Sequence, residues 1–339
     1  MSMVDLIFFT SPIGLGHATR DVAISQNLDD VSKKFVSGKG ASELLSAYGF
    51  DTKDVYDPPL FDVEKGSLQR PLKWLLKYYQ YYKECKRISK QILENERPRM
   101  VVSDEDFASL SVAQGKKLKT ILITDVLQTK FTTGLASLVE KKMNRSMKDI
   151  MKRCDYVILP ERGPNEDNII RAGPIVRPTN HSRNELRRLF SFDKKTIVVS
   201  IGGTDAGKFL IEKTIEAFKK LKTDVDLVVV AGPSFQIRSD NVRNLGFVNN
   251  LHEVIYASDL IISLAGKSTI DESKAYGTPG IFIPIKGHFE QEDNAKEEGF
   301  SYNDIFRLDS LISNKLNESR RAVTSDGAKR AAEIIKNNL

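Results

Sequence analysis

Phe8-Phe9-Thr10-Ser11-Pro12-Ile13-Gly14-Leu15-Gly16-His17 and Val199-Ser200-Ile201-Gly202-Gly203-Thr204-Asp205-Ala206-Gly207 follow one local plan, an apolar strand-length run passing straight into a glycine-containing turn. An amphipathic stretch comes after each, so both read as strand, turn and helix start. The first amides of such a helix have no backbone partners, and its dipole adds partial positive charge, which suits a phosphate. In open parallel sheets, turns at the carboxyl ends of the strands are where ligands bind.

Around these two turns, short apolar runs alternate with longer amphipathic ones, the pattern of parallel strands joined by crossover helices. In the first half strands are expected at residues 6–10, 34–37, 100–103, 120–123 and 156–159, with a long helix over 72–93. Ala172-Gly173-Pro174-Ile175-Val176-Arg177-Pro178 then breaks the periodicity, as an interdomain connection does. Strands resume at 196–201, 226–231, 260–263 and 280–283, and a helix from about Ser325 closes the chain. The 339 residues exceed one ordinary core. The expectation is an α/β protein of two Rossmann-like domains, residues 1–173 and 174–339, whose glycine turns face each other across a cleft. That plan leaves the closing helix free to cross back to the first domain.

Composition narrows the function classes. Hydrophobic residues at 40% and charged residues at 28% are globular values. The net charge of +6 favours anionic partners, but Lys and Arg are scattered, with no dense basic block or base-stacking motif, so nucleic acid is not expected. Cys85 and Cys154 are far apart, and the four histidines never fall at metal-ligand spacing, so neither disulfides nor a bound metal are expected. No run reaches about 18 apolar residues. A cytoplasmic protein is expected, soluble or peripheral at the inner face of a membrane.

Gly202 to Lys208 nearly spells a nucleoside-triphosphate loop, but Phe209 stands where Ser or Thr must ligate magnesium, and Gly266-Lys267-Ser268-Thr269 lacks the upstream glycine, having Ile261 there. Both read as phosphate-facing turns or as plain tight turns. His17 follows the first turn at a strand end, where an imidazole suits proton abstraction near neutrality. A carboxylate would hold its tautomer. Asp104, ending the run Met100-Val101-Val102-Ser103, is the leading partner, and Asp125, with the same placement after Ile121-Leu122-Ile123-Thr124, is the alternative base if His17 is not. Each carboxylate reads equally as a helix cap.

The stretch from Gly246-Phe247-Val248 through Ala265-Gly266-Lys267-Ser268-Thr269-Ile270-Asp271-Glu272 to His288-Phe289-Glu290-Gln291 resembles the donor-binding half of GT-B glycosyltransferases of the MurG-like group. Gly14-Leu15-Gly16-His17-Ala18-Thr19-Arg20 further resembles an archaeal and bacterial branch of that group. Gly14 and Gly16, in the first strand-end turn, are expected to line the substrate site. The resemblance implies that Gly203, Thr204, Gly266, Lys267, Ser268 and Thr269 meet a diphosphate, and that Glu272 takes the ribose hydroxyls. Phe247 and Val248 would read the base, and Glu290 with Gln291 the sugar. Two departures stand out: Lys267 brings a cation where MurG has none, and Glu290 an acid where MurG has an amide. His17 with Asp104 resembles the base-and-orienter pair of plant-type transferases on this fold.

The function implied is a metal-independent inverting transfer of a hexosyl or N-acetylhexosaminyl group. The donor would be a nucleotide-diphosphate sugar, UDP foremost, with no cofactor, and the acceptor a glycan, lipid-linked or cell-envelope molecule. A nucleotide-sugar 2-epimerase and a non-catalytic nucleotide-sugar-binding protein are the alternatives. Pro71 to Lys83, with Trp74 and four tyrosines among three lysines, reads either as a helix covering the first sheet or as one resting on a membrane.

Overall fold

The structure, a computed structural model, describes residues 4–132, 134, 137–202, 205–221, 224–231 and 242–339. The first half runs β1 (Leu6–Thr10), α1 (Gly16–Ser25), β2 (Lys33–Ser37), α2 (Lys39–Ala47), β3 (Thr52–Asp54) and a hairpin of β4 (Asp62–Glu64) and β5 (Ser67–Gln69). It continues with α3 (Pro71–Glu96), β6 (Met100–Asp104), α4 (Phe107–Gly115), β7 (Lys119–Ile123), α5 (Ser137–Lys152), β8 (Tyr156–Leu159) and β9 (Ile169–Arg171). The second half comprises α6 (Arg183–Leu189), β10 (Thr196–Ser200), α7 (Lys208–Phe218), β11 (Asp226–Val230), β12 (Val242–Asn244), α8 (Leu251–Ala257) and β13 (Leu260–Leu264). It closes with α9 (Lys267–Tyr276), β14 (Gly280–Ile283), α10 (Phe289–Glu297), α11 (Leu308–Lys315) and α12 (Gly327–Lys336).

Two parallel sheets result. The first has the order β3-β2-β1-β6-β7-β8-β9 and the second β12-β11-β10-β13-β14. Each starts in the middle, steps outward on one side, then crosses to the other, which is the Rossmann strand order. The central strands read as continuous apolar runs because helices cover both their faces. All five residues of β1, and all five of β6, are buried. Each fully buried Leu, Ile or Phe there contributes roughly 1.5–3 kcal/mol.

The chain forms two compact units. One contains residues 1–60, 70–176 and 325–339, the other residues 61–69 and 177–324. The connection at 176/177 falls inside the expected proline–glycine segment, and the closing helix does join the first unit, where Ala328, Ala331, Ala332 and Ile335 share a core with Ala18 and Val22 of α1. The hairpin departs from the contiguous division at residue 173. It belongs to the second unit because its backbone pairs there: the Leu68 amide donates to the Lys286 carbonyl and the Lys286 amide to Gly66, each at 2.8 Å. The Tyr302 hydroxyl also donates to the Lys65 carbonyl at 2.7 Å.

Helix α3 has a buried and an exposed side. Trp74 is buried, its indole N–H donates to the Pro59 carbonyl at 3.0 Å, and its ring stacks on Tyr78 with centroids 5.3 Å apart. Leu72, Leu76 and Tyr79 on the same helix are exposed, with Lys73, Lys77 and Lys83 also exposed.

Candidate active site

In the first sheet the order reverses between β1 and β6, where register pairs Thr10 with Asp104 and Asp104 with Ile123 of β7. The carboxyl ends of three adjacent strands therefore end level, and the turn after β1 brings α1 back over them. Gly14, at φ +84°, makes the left-handed step that most side chains resist. Gly16 opens the helix, and Leu15 at its N-cap offers no side-chain cap. One residue into α1, His17 reaches Asp104: Nδ1 and Oδ1 are 2.8 Å apart.

Arg20, one turn further along α1, clamps the same carboxylate. Its Nε donates to Asp104 Oδ2 at 2.8 Å and its Nη2 to Oδ1 at 2.6 Å, while Nη1 lies 3.4 Å from Asp125 Oδ2. Asp104 is fully buried and Arg20 is nearly so. Burial opposes ionisation of Asp104, yet Arg20 and His17 hold it below the ordinary aspartate range. Asp125, also opposed by burial, is held well below that range by Arg20.

The other face of the imidazole meets Glu105, whose Oε2 lies 3.8 Å from Nε2. Burial works against a charged ring, but Glu105 and then Asp104 outweigh it against the opposing Arg20, and the His17 pKa rises to about 9. Asp21, buried beside this centre, receives a hydrogen bond from the Thr10 hydroxyl at 2.5 Å; burial and the charge of Asp104 push its carboxyl far up. Of the three residues read from the sequence as chemistry, His17 and Asp104 are in direct contact and Asp125 joins them through Arg20. Arg20 and Glu105 were not anticipated.

The second sheet has its own reversal, between β10 and β13, and the turn after β10 and the start of α9 after β13 lie at it. Gly202, at φ +68°, turns the chain after β10. Gly203 and Thr204 lie outside the described residues. Gly266 at the N-cap of α9 has φ −77° and ψ 134°, which any residue adopts, and a Cβ there would meet nothing within 4 Å. Neither backbone strain nor packing calls for glycine at this position. Gly266 has no side chain with which to cap α9, and Lys267, Ser268 and Thr269 form its first turn. The Lys267 ammonium points back along the helix to Asp271 Oδ1 at 2.8 Å.

Glu272 is buried, and Arg177 Nε donates to its Oε1 at 2.9 Å, so the expected ribose ligand is already held by a cation. Arg177 also donates to the Asn249 carbonyl at 2.7 Å, and its own carbonyl accepts from the Tyr276 hydroxyl. In α10, Gln291 Oε1 accepts from the Ile285 amide at 3.0 Å and Asn294 donates to the Ala265 carbonyl at 3.1 Å, tying this helix to the turn before α9. Glu290 is half-buried in its first turn. Phe247 is exposed, and Val248 packs on the core. Among the described residues no group of three His, Cys, Asp or Glu is placed to hold a metal ion, and no helix is long and apolar enough to cross a membrane.

Residues 196–336 match the glycosyltransferase family 28 C-terminal domain. An uncharacterized glycosyltransferase of Methanopyrus kandleri is 26% identical over 304 residues, 84% of each chain. The UDP-N-acetylglucosamine–N-acetylmuramyl-(pentapeptide) pyrophosphoryl-undecaprenol N-acetylglucosamine transferase of Thermosipho melanesiensis is 29% identical over 153 residues, 44% of each chain. The crystal structure of the glycotransferase of kitacinnamycin aligns over the whole of both chains with a TM-score of 0.70 at 12% identity. Two Rossmann-like units with this strand order define a protein of the GT-B fold. Within that fold the chain is a glycosyltransferase, and its second half is similar to that of the MurG-like transferases.

Proposed function

We propose that the protein transfers a hexosyl or N-acetylhexosaminyl group, with inversion and without a metal, from a nucleotide-diphosphate sugar, UDP foremost, to a hydroxyl of a glycan or lipid-linked acceptor. The observation that carries this reading is the His17–Asp104 contact of 2.8 Å at the strand-order reversal of the first sheet. Asp104 takes the Nδ1 side, so Nε2 is the nitrogen left to accept a proton. The acceptor O–H proton passes to Nε2 as its oxygen bonds to the anomeric carbon. The bond from that carbon to the diphosphate oxygen breaks, and its electron pair leaves with the diphosphate.

The leaving charge needs donors, and the glycine-opened start of α9 presents amides and a dipole end. Lys267 joins them if it exchanges Asp271 for the diphosphate, a rotation its flexible stem permits. The open space over Gly266 lets a ligand approach the backbone closely. On the acceptor side, exposed Leu72, Leu76 and Tyr79 interleaved with Lys73, Lys77 and Lys83 suit an anionic membrane surface and hence a lipid-linked acceptor. Co-sedimentation with vesicles containing anionic phospholipid, lost in L76E/K77E, supports that acceptor class; equal binding by wild type and variant removes it.

The deciding experiment incubates the enzyme with a panel of nucleotide-diphosphate sugars and candidate acceptors, with product detected by mass spectrometry. Transfer that disappears in His17→Ala while nucleotide affinity stays is the expected result. Release of a 2-epimer from the donor alone would replace this reading with the epimerase one.

A further inference from the structure

The β4–β5 hairpin belongs to the second unit although it lies in the first half of the sequence, and its tip is shaped for a close fit. Glu64 at the end of β4 pairs with Ser67 at the start of β5, so Lys65 and Gly66 form a two-residue turn. Lys65 at φ +46° and Gly66 at φ +72° are both left-handed, as the twist of so tight a hairpin requires. Gly66 is buried, and a Cβ there would stand 3.2 Å from both the Phe209 and the Tyr302 ring. Conformation and packing together call for glycine. Phe209, the residue standing where a magnesium-binding hydroxyl would be, is thus a seat for the hairpin in the first turn of α7.

The hairpin also grips the loop that leads from β14 into α10. The Lys286 amide donates to the Gly66 carbonyl and the Lys286 carbonyl accepts from the Leu68 amide, each at 2.8 Å, so both backbone groups of that loop residue are committed to the hairpin. The Tyr302 hydroxyl donates to the Lys65 carbonyl at 2.7 Å. His288, the N-cap of α10, has its ring edge-on to Phe61 at the foot of the hairpin, with centroids 5.1 Å apart. The bond of 3.0 Å from the Ile285 amide to Gln291 Oε1 makes the loop and the first turn of α10 one piece, and that turn carries Glu290 as well. On its other side, β4 lies against the turn Asp205–Gly207 that follows β10. In the sheet, β10 and β14 flank β13, so the hairpin touches elements on both sides of the strand from which α9 starts.

We propose that the hairpin is a positioning element of the donor half-site, with Gly66 as its positioning residue: seated on Phe209 and Tyr302, it fixes the start of α10 against the turn after β10 and so decides which hexose of a nucleotide-diphosphate sugar is accepted. The inference rests on the transfer reading above and deepens it on the donor side. The diphosphate contact proposed there falls on α9 rather than on α10, so loosening the hairpin acts on the sugar and spares the nucleotide.

The test titrates the full-length protein by calorimetry with uridine diphosphate and with a panel of UDP-hexoses and UDP-N-acetylhexosamines that differ at single positions of the sugar. Wild type is expected to separate the best from the worst sugar by at least tenfold in Kd. Gly66→Val suits neither the left-handed backbone nor the space beneath the two rings, and it should narrow that spread below threefold while the Kd for uridine diphosphate stays within twofold. Hydrogen exchange reports the docking itself: the Leu68 and Lys286 amides should exchange at least tenfold faster in Gly66→Val, with those of β10 and β13 unchanged. Tyr302→Phe keeps the ring and removes only the bond to Lys65, so it should speed the same amides severalfold and narrow the spread at least twofold; it decides alone if Gly66→Val does not fold. Amides that stay protected, an unchanged spread once they are released, a wild type without a spread, or an equal loss for uridine diphosphate overturns the proposal. If wild type binds neither uridine diphosphate nor any nucleotide sugar, the donor reading falls and takes the sugar role with it, whereas any of the other results with wild-type binding intact overturns this proposal alone.

Discussion

Asp104 serves two cations at once, and the consequences are sharpest at His17. Replacing His17 by Ala or Asn removes the proton acceptor, and a loss of about 10²–10⁴ in kcat with unchanged nucleotide affinity is expected from steady-state kinetics and calorimetry. The base must be unprotonated, and the ring's pKa is raised to about 9 in the free protein, so kcat/KM should climb with pH until about 9 and flatten above it. A profile already flat at pH 7 would mean the ring titrates elsewhere. The same shift has a stability counterpart. A group whose folded pKa exceeds its unfolded value of about 6.5 stabilises fully below that value, and the contribution fades as pH rises through 9. His17 and Asp104 were legible because strand-end positions in a parallel sheet share a rim. Arg20 and Glu105 were not, since the first acts through a carboxylate 84 residues away and the second through a left-handed backbone turn that no local pattern announces.

Two helices of the second unit are opened by a glycine at the N-cap, and the diphosphate contact proposed above falls at one of them, α9. Gly207 precedes α7 and Gly266 precedes α9, neither having a side chain of its own to cap with, whereas Asp106 caps α4 and Ser182 builds a capping box on α6. Gly266→Ala separates ligand approach from folding. Its new methyl meets nothing within 4 Å, so a cost of about 1 kcal/mol or less is expected in a urea melt, while affinity for uridine diphosphate should drop tenfold or more. Unchanged affinity would place the diphosphate away from α9. Arg177 and Glu272 give the converse case. Both are buried, so Arg177→Met alone should destabilise by roughly 3–5 kcal/mol through the carboxylate left unpaired, and adding Glu272→Leu should restore most of it. A double-mutant cycle with no coupling would show the pair to be incidental. The sequence placed Glu272 on the correct helix. It could not show the carboxylate already engaged, because its partner lies 95 residues earlier in the segment joining the two halves.

At the scale of the chain, the central strands were readable because burial on both faces leaves them uninterrupted apolar runs, as in β1, β10 and β13. The three-residue edge strands β3, β9 and β12 carry no such run and were missed, and so was the hairpin, whose place is set by backbone pairing with Lys286 rather than by its side chains. Helix α12 tests how the units are stabilised. Deleting residues 325–339 strips three buried alanines and Ile335 from the core of the first unit, on the order of 4 kcal/mol of apolar burial, a large share of the 5–15 kcal/mol that holds a domain folded. The residues proposed above to meet the donor lie wholly in the other unit. A urea melt of the truncated chain should therefore show one transition moved to lower urea and a second unmoved, the latter rising by about 2.7 kcal/mol with uridine diphosphate at 100 times its Kd. If both transitions fall together, or the nucleotide no longer protects either, the two units depend on each other for folding and the donor half-site is not self-sufficient.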